Sequence, residues 1–147
     1  MNQDLQDVYF FQHRFKHSYD GAPRDGSPDL RLFRLHFLAE ELRELGDAMG
    51  FRVNTVITEK TDMTVNRVKV LDALVDLDYV LKGTVLQFGY GRGYAVAWDR
   101  VHAANMRKEC GTKATRGFTH DVIKPPGWVE PDLSDLVGLP GGDNAVK

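Results

Sequence analysis

Between Val68 and Leu81 the chain is apolar at most positions, yet it carries Asp72 and Asp76 one helical turn apart. Val68, Val70, Leu71, Leu74, Val75, Leu77, Val80 and Leu81 cover most of the circumference of a helix running from about Val65 to Phe88. Such a helix is expected to be the central, most buried one. The neighbours of Asp76 at three and four residues are Asp72, Ala73, Tyr79 and Val80, so no lysine or arginine of its own helix can pair with it at that spacing. Carboxylates in apolar surroundings repel each other and resist desolvation, and a cation between them is the usual reason such an arrangement persists.

A second acidic block, Glu40-Glu41-Leu42-Arg43-Glu44, sits in another apolar-periodic stretch. Successive helical residues lie about 100° apart, so Glu40, Glu41 and Glu44 fall within an arc of roughly 100° and can face one point. Glu44 has Glu40 four back, Glu41 three back and Asp47 three ahead, all of one sign. Each like-charge pair costs roughly 0.2 to 0.5 kcal/mol unless something positive intervenes. A solvated helix face would also explain the glutamates alone. Taken with Asp72 and Asp76, the two rows favour a site for a hard divalent cation such as Mg2+, which prefers oxygen ligands.

The rest of the chain supplies more helices. Leu5, Val8, Tyr9, Phe11 and Phe15 recur at helical spacing from Leu5 to Phe15. Ser27-Pro28 reads as an N-cap followed by proline at the first helical position, opening a second helix that Gly46 or Gly50 would stop. Phe51 to Thr64 is expected to be a loop, and Ala95 to Lys108 a fourth helix after the break at Tyr90-Gly91-Arg92-Gly93. Beyond Cys110 the sequence turns irregular, and that tail is expected to wrap the helices and then fray. The expected fold is all-α and four-helix bundle-like, with a domain over residues 1–133 and a flexible tail over 134–147.

Composition excludes several classes. With 147 residues and 42% hydrophobic content, one domain with a real core is expected. A formal net charge of −2 without long like-charge runs offers no basic surface for a nucleic-acid polymer, so any bound polyanion should be small. Cys110 is the single cysteine, which excludes an internal disulfide, and residues 1–15 lack a signal-peptide pattern. Asp72, Asp76, Asp78 and Lys82 interrupt the best apolar stretch, short of the roughly 20 residues of a membrane span. A soluble, cytoplasmic protein with no membrane partner is expected. A helix apolar nearly all round cannot be covered by one chain of this size, which predicts a homodimer or homotetramer.

Four blocks together resemble a known family. They are Glu-Glu-x-x-Glu at Glu40, Glu41 and Glu44; Asp72-Ala73-Leu74-Val75-Asp76-Leu77, running on to Tyr79-Val80 and Gly83-Thr84; Val101-His102-Ala103-Ala104-Asn105-Met106-Arg107-Lys108; and Lys124-Pro125-Pro126-Gly127-Trp128. In this order they resemble the all-α nucleoside triphosphate pyrophosphohydrolases, the MazG-like and dimeric dUTPase-like proteins related to phosphoribosyl-ATP pyrophosphohydrolase. The resemblance implies a Mg2+-dependent enzyme, with Mn2+ as a substitute, that cleaves a (deoxy)nucleoside triphosphate between the α and β phosphates. The products would be nucleoside monophosphate and pyrophosphate, with dGTP, dUTP and dCTP as candidate substrates and control of the nucleotide pool as the role.

By position Glu40, Glu44 and Asp76 match the family's metal ligands and Glu41 the carboxylate that activates water. The usual second block is Glu-x-x-Asp; here Ala73 holds its first position, and Asp72, four before Asp76, stands as a substitute ligand. Asn105 and Lys108 match residues near the phosphates, Asn105 remaining open between metal and phosphate, and Lys124 falls where a tail residue closes on them. Phe11, His13 and Phe15 lie where the resemblance places the nucleoside, although Phe11 and Phe15 also suit a plain core role and His13 a surface position.

The residue types suit the chemistry, since phosphoryl-group hydrolysis needs charge neutralisation and a positioned water more than a covalent nucleophile. Two alternatives remain at this stage. A non-catalytic nucleotide-binding or helical interaction module finds its encouragement in Ala73. A di-iron carboxylate bundle would need two Glu-x-x-His motifs, to which Asp99-x-x-His102 alone comes near.

Overall fold

Side-chain caps set where the first three helices start. The structure, a computed structural model, describes residues 2–112 and 121–138. Helix α1 (Gln3–Arg14) opens on Asn2, whose side chain accepts from the Leu5 amide at 3.1 Å. Helix α2 (Pro28–Ala48) opens as expected on Ser27, whose hydroxyl accepts from the Leu30 amide at 3.2 Å. Asn66 caps α3 (Arg67–Gln87) through the Lys69 amide at 3.1 Å. After a 3-10 turn at Tyr90–Arg92 comes α4 (Tyr94–Met106). Each such cap satisfies one of the amides that a helix N-terminus leaves without a partner.

Gly50 ends α2. Its φ of +82° lets the chain reverse, with the Gly50 amide on the Asp47 carbonyl at 3.1 Å and the Phe51 amide on Gly46 at 2.8 Å. This double bond pattern is the Schellman arrangement, and it turns the following segment back onto the helix. Val53 then packs against Gly46, and Arg43 donates to the Thr55 hydroxyl at 2.6 Å. Residues 51–64 hold no regular element, as expected. At the far end Arg67 reaches Asp25 at 2.7 Å and the Pro23 carbonyl at 3.1 Å. The segment thus returns along α2, and α3 starts beside the residues that lead into α2.

The other half of the chain is built around α4. α1 packs on it, and the Trp98 indole donates to Asp7 at 2.9 Å. The tail lies along α4 as expected: Arg107 donates to the Val129 carbonyl at 3.1 Å, and Arg100 holds the Asp132 carbonyl at 2.8 Å and the Asp135 carboxylate at 2.9 Å. Of the tail expected to be flexible over 134–147, Ser134–Leu136 form a 3-10 turn held through Asp135, and 139–147 lie outside the described residues. One element went unforeseen. Strand β1 (Glu109–Gly111) pairs antiparallel with β2 (Asp121–Ile123), in the register Glu109–Ile123, Cys110–Val122 and Gly111–Asp121. Three-residue strands show too little alternation to stand out in a sequence.

Four helices with an irregular C-terminal segment make the fold all-α, as expected. Its core is small: Phe15, Phe33, Ala39, Ala104 and Val122 are the buried apolar side chains among the described residues. The expectation for α3 is overturned. Every residue from Arg67 to Lys82 is exposed, with Leu74 at 51% and Tyr79 at 79%. Among the described residues the most extensive helix–helix contact is that of α1 with α4, and α3 contacts chiefly the 3-10 turn after it. Hydrophobicity all round reports that a helix is to be covered, but it does not say by which chain.

Candidate active site

The wheel argument holds in the folded chain. Glu40, Glu41 and Glu44 lie in the middle of an unbroken α2, so Glu40 and Glu44 point the same way with Glu41 flanking them. Glu40 is half-buried, while Glu41 and Glu44 are exposed. Asp72 and Asp76 share a face of α3, and both are solvated within a single chain rather than enclosed in apolar surroundings. Asp72 also has a loose, exposed contact with Lys69 at 3.8 Å, of the kind that contributes little. Among the described residues no three acidic, histidine or cysteine side chains stand close enough to hold a metal ion. The glutamate row and the aspartate row therefore form no such cluster among the described residues of the single chain.

The donor set itself fits a hard cation. Five carboxylates in two rows supply oxygen ligands alone, which is what Mg2+ takes.

The candidate phosphate ligands are brought to one end of α4. Asn105 is the penultimate residue of that helix, and Lys108 follows it. The Glu109–Ile123 pair is the last step of the hairpin, so Lys108 and Lys124 occupy the positions immediately beyond it, on opposite strands. Trp128 fixes this corner: its indole donates to the Ala104 carbonyl at 2.9 Å, and the Lys124 ammonium lies 4.4 Å from the centre of its ring. Lys124 also meets Glu130 at 3.1 Å. Two cationic side chains and an amide thus gather where the tail crosses the helix end.

The candidate nucleoside residues divide. Phe15, 5% exposed, is a core residue, with the half-buried Phe11 ring 4.7 Å away. His13 is exposed and stacks on Tyr9, with ring centres 6.1 Å apart.

Two features had no signal in the sequence. Asp7 accepts from Trp98 at 2.9 Å and from Gln3 at 2.8 Å, and these hydrogen bonds, the indole's first, hold its carboxyl below the ordinary carboxylate range. Asp121 is 1% exposed, with its carboxylate on the Val122 amide at 2.7 Å. The Asp7–Trp98 pair spans 91 residues, a separation that local patterning does not reach.

The all-α scaffold is that of the MazG-like all-α pyrophosphohydrolase superfamily, to which the family comparison assigns the chain. A family model described as phosphoribosyl-ATP pyrophosphohydrolase matches residues 8–105, well over half of the chain. The chain belongs to that family, whose members are pyrophosphohydrolases, hydrolases acting on a phosphoric anhydride. No curated protein and no solved structure gives a significant match. The matched span contains both acidic rows and Asn105 but stops short of Lys108 and Lys124.

Proposed function

We propose that the protein hydrolyses a nucleoside triphosphate, or a similarly phosphorylated nucleotide, between its α and β phosphates, releasing pyrophosphate. What carries this reading is the family match across a span holding Glu40, Glu41, Glu44, Asp72 and Asp76 on two helices. Glu40, Glu44 and Asp76, with Asp72 in place of the usual glutamate, are the side chains that would hold Mg2+. The ion, or Mn2+ in its stead, supplies neutralisation of triphosphate charge.

Glu41 is exposed on α2 beside that row, where water reaches its carboxylate, which suits a base. It takes a proton from water as the water oxygen bonds to phosphorus; the bridging P–O bond breaks, and its electron pair leaves on the pyrophosphate. Asn105, Lys108 and Lys124 hold the phosphate oxygens. The base would stack near α1, where His13 offers an exposed imidazole, and Phe11 and Phe15 support that wall from within.

The candidate substrates are dGTP, dUTP and dCTP, and a role in the nucleotide pool follows from them. The family description adds phosphoribosyl-ATP, which keeps the same bond to be broken. The working form is a homodimer or homotetramer, supported by the bare apolar surface of α3. The place of action is the cytoplasm, with neither membrane nor nucleic-acid polymer as partner; among the described residues no helix is long and apolar enough to cross a membrane. The test is a pyrophosphate-release screen over deoxy- and ribonucleoside triphosphates and phosphoribosyl-ATP with Mg2+. Release from at least one substrate, absent in Glu41→Gln, is the expected result. Absence of release from all of them overturns the reading.

A further inference from the structure

The Lys124 ammonium, which the proposed function gives to phosphate, already has two partners within the chain. Lys124 stands just before a tight turn, in which the Trp128 amide donates to the Pro125 carbonyl at 3.0 Å and Gly127 takes a φ of +77°. Proline in the second place and a left-handed glycine in the third are what a type II turn favours. The turn folds Trp128 back, so that the ammonium lies 4.4 Å from the centre of its ring, and the Glu130 carboxylate meets the same ammonium at 3.1 Å.

We propose that Glu130 is a built-in competitor for this ammonium. Substrate phosphate and the Glu130 carboxylate exchange on Lys124, and the exchange sets how tightly the corner takes phosphate. The inference rests on the reading of Lys124 as a phosphate ligand and adds the regulation of that contact.

Two observations carry it. The first is that the chain on both sides of Glu130 is tied to α4. Before it, the Val129 carbonyl accepts from Arg107 at 3.1 Å, and the Trp128 indole donates to the Ala104 carbonyl at 2.9 Å. After it, Arg100 holds the Asp132 carbonyl at 2.8 Å and the Asp135 carboxylate at 2.9 Å. An exposed ion pair usually loses most of its worth in ordering two long side chains. Here α4 has already ordered the backbone that carries the carboxylate, so the pair is held as part of the tail.

The second observation is that the contact is open to a ligand. The side chain of Lys124 is 50% exposed and that of Glu130 77%, so a phosphate reaches the ammonium from solution. Phosphate and carboxylate carry charge of one sign and seek the same N–H donors, and they repel each other across the ammonium. The Trp128 ring attracts the cation through its face and opposes no anion. Of the two partners, only Glu130 therefore works against phosphate.

Glu130→Gln removes the charge while keeping an acceptor for Lys124 and the ring beside it. The probe is inorganic pyrophosphate with Mg2+, titrated by calorimetry, which needs no turnover. Glu130→Gln is expected to bind it about two- to fivefold more tightly than wild type, the range an exposed ion pair supports. Raising the ionic strength is expected to narrow the gap, because salt screens an exposed pair. In a Lys124→Met background the same exchange is expected to lose most of its effect. With a substrate found in the screen, the change is expected in KM rather than in kcat.

Equal pyrophosphate binding by wild type and Glu130→Gln, absent binding included, overturns the inference. So does a gain that is indifferent to salt, one as large without Lys124 as with it, or an effect on kcat alone. None of these outcomes touches pyrophosphate release by the wild type, on which the proposed function stands.

Discussion

The Trp128 indole donates to the Ala104 carbonyl at 2.9 Å, and this one bond ties the tail to the end of α4. Lys124 lies over the same ring at 4.4 Å, so Trp128 holds a cation beside Asn105 and Lys108. Replacing Lys124 by Met removes the charge while keeping an apolar stem over the ring. Its pair with Glu130 is exposed and contributes little to folding. Lys124→Met is therefore expected to melt like wild type but to lose roughly 10- to 100-fold in kcat/KM, the scale of one hydrogen bond to a charged group. Trp128→Ala is expected to lose both activity and thermal stability. Parallel melting curves and initial rates of pyrophosphate release separate the two.

Glu41 and Glu44 are both exposed on α2, and exchange of a carboxylate for an amide there disturbs no core. Glu41→Gln keeps the shape and removes the base. The expected loss in kcat is about 10²- to 10⁴-fold, the range of a general base, with Mn2+ binding preserved. Glu44→Gln is expected to weaken Mn2+ binding as well. Titration of Mn2+ beside single-turnover rates distinguishes the proton acceptor from the ligand.

Gly46 has no Cβ where Val53 packs, and a Cβ there would also stand 3.2 Å from the Phe51 carbonyl oxygen. Gly46→Ala gains helix propensity of about 1 kcal/mol, yet it must push the returning segment off α2. Overpacking of this kind costs roughly 1 to 3 kcal/mol, so a net loss is expected. Because Arg43 bonds Thr55 on the same segment, the displacement also frees Arg43 beside Glu44. Urea denaturation measures the first effect, and a changed affinity for Mn2+ the second.

Helix starts were legible because caps are local chemistry: Ser27-Pro28 announced α2, and Gly50 its end, through interactions within four residues. The two acidic rows were legible as rows for the same reason, since i to i+4 spacing is a property of a single helix. Where the rows sit was not. Apolarity all round told that α3 needs cover, and an expectation of burial within the chain followed; the chain instead spends its connector on α2 and leaves α3 bare. The placing of Lys108 and Lys124 at the same end of a strand pair depended on three-residue strands that alternation could not reveal. Asp7 with Trp98 depended on α1 and α4 packing across most of the chain.

That last pair makes the stability of the α1–α4 contact depend on pH. Asp7 accepts from the Trp98 indole and the Gln3 amide, bonds to its charged form that hold its carboxyl below the ordinary range; the charge of His102 acts in the same direction. A carboxyl with a folded value below its unfolded value binds fewer protons when folded. Its contribution is complete above the unfolded value, about pH 4, and is lost as pH falls through the lower folded value. Asp7→Asn is therefore expected to melt below wild type near neutral pH, with the gap closing under strongly acidic conditions. Trp98→Phe removes the largest donor and should flatten the same pH dependence while leaving an aromatic ring against α1. Melting temperatures of the three proteins between about pH 2 and pH 7 check this. A gap that stays constant across that range would show that the carboxylate's charge has no part in holding α1 to α4.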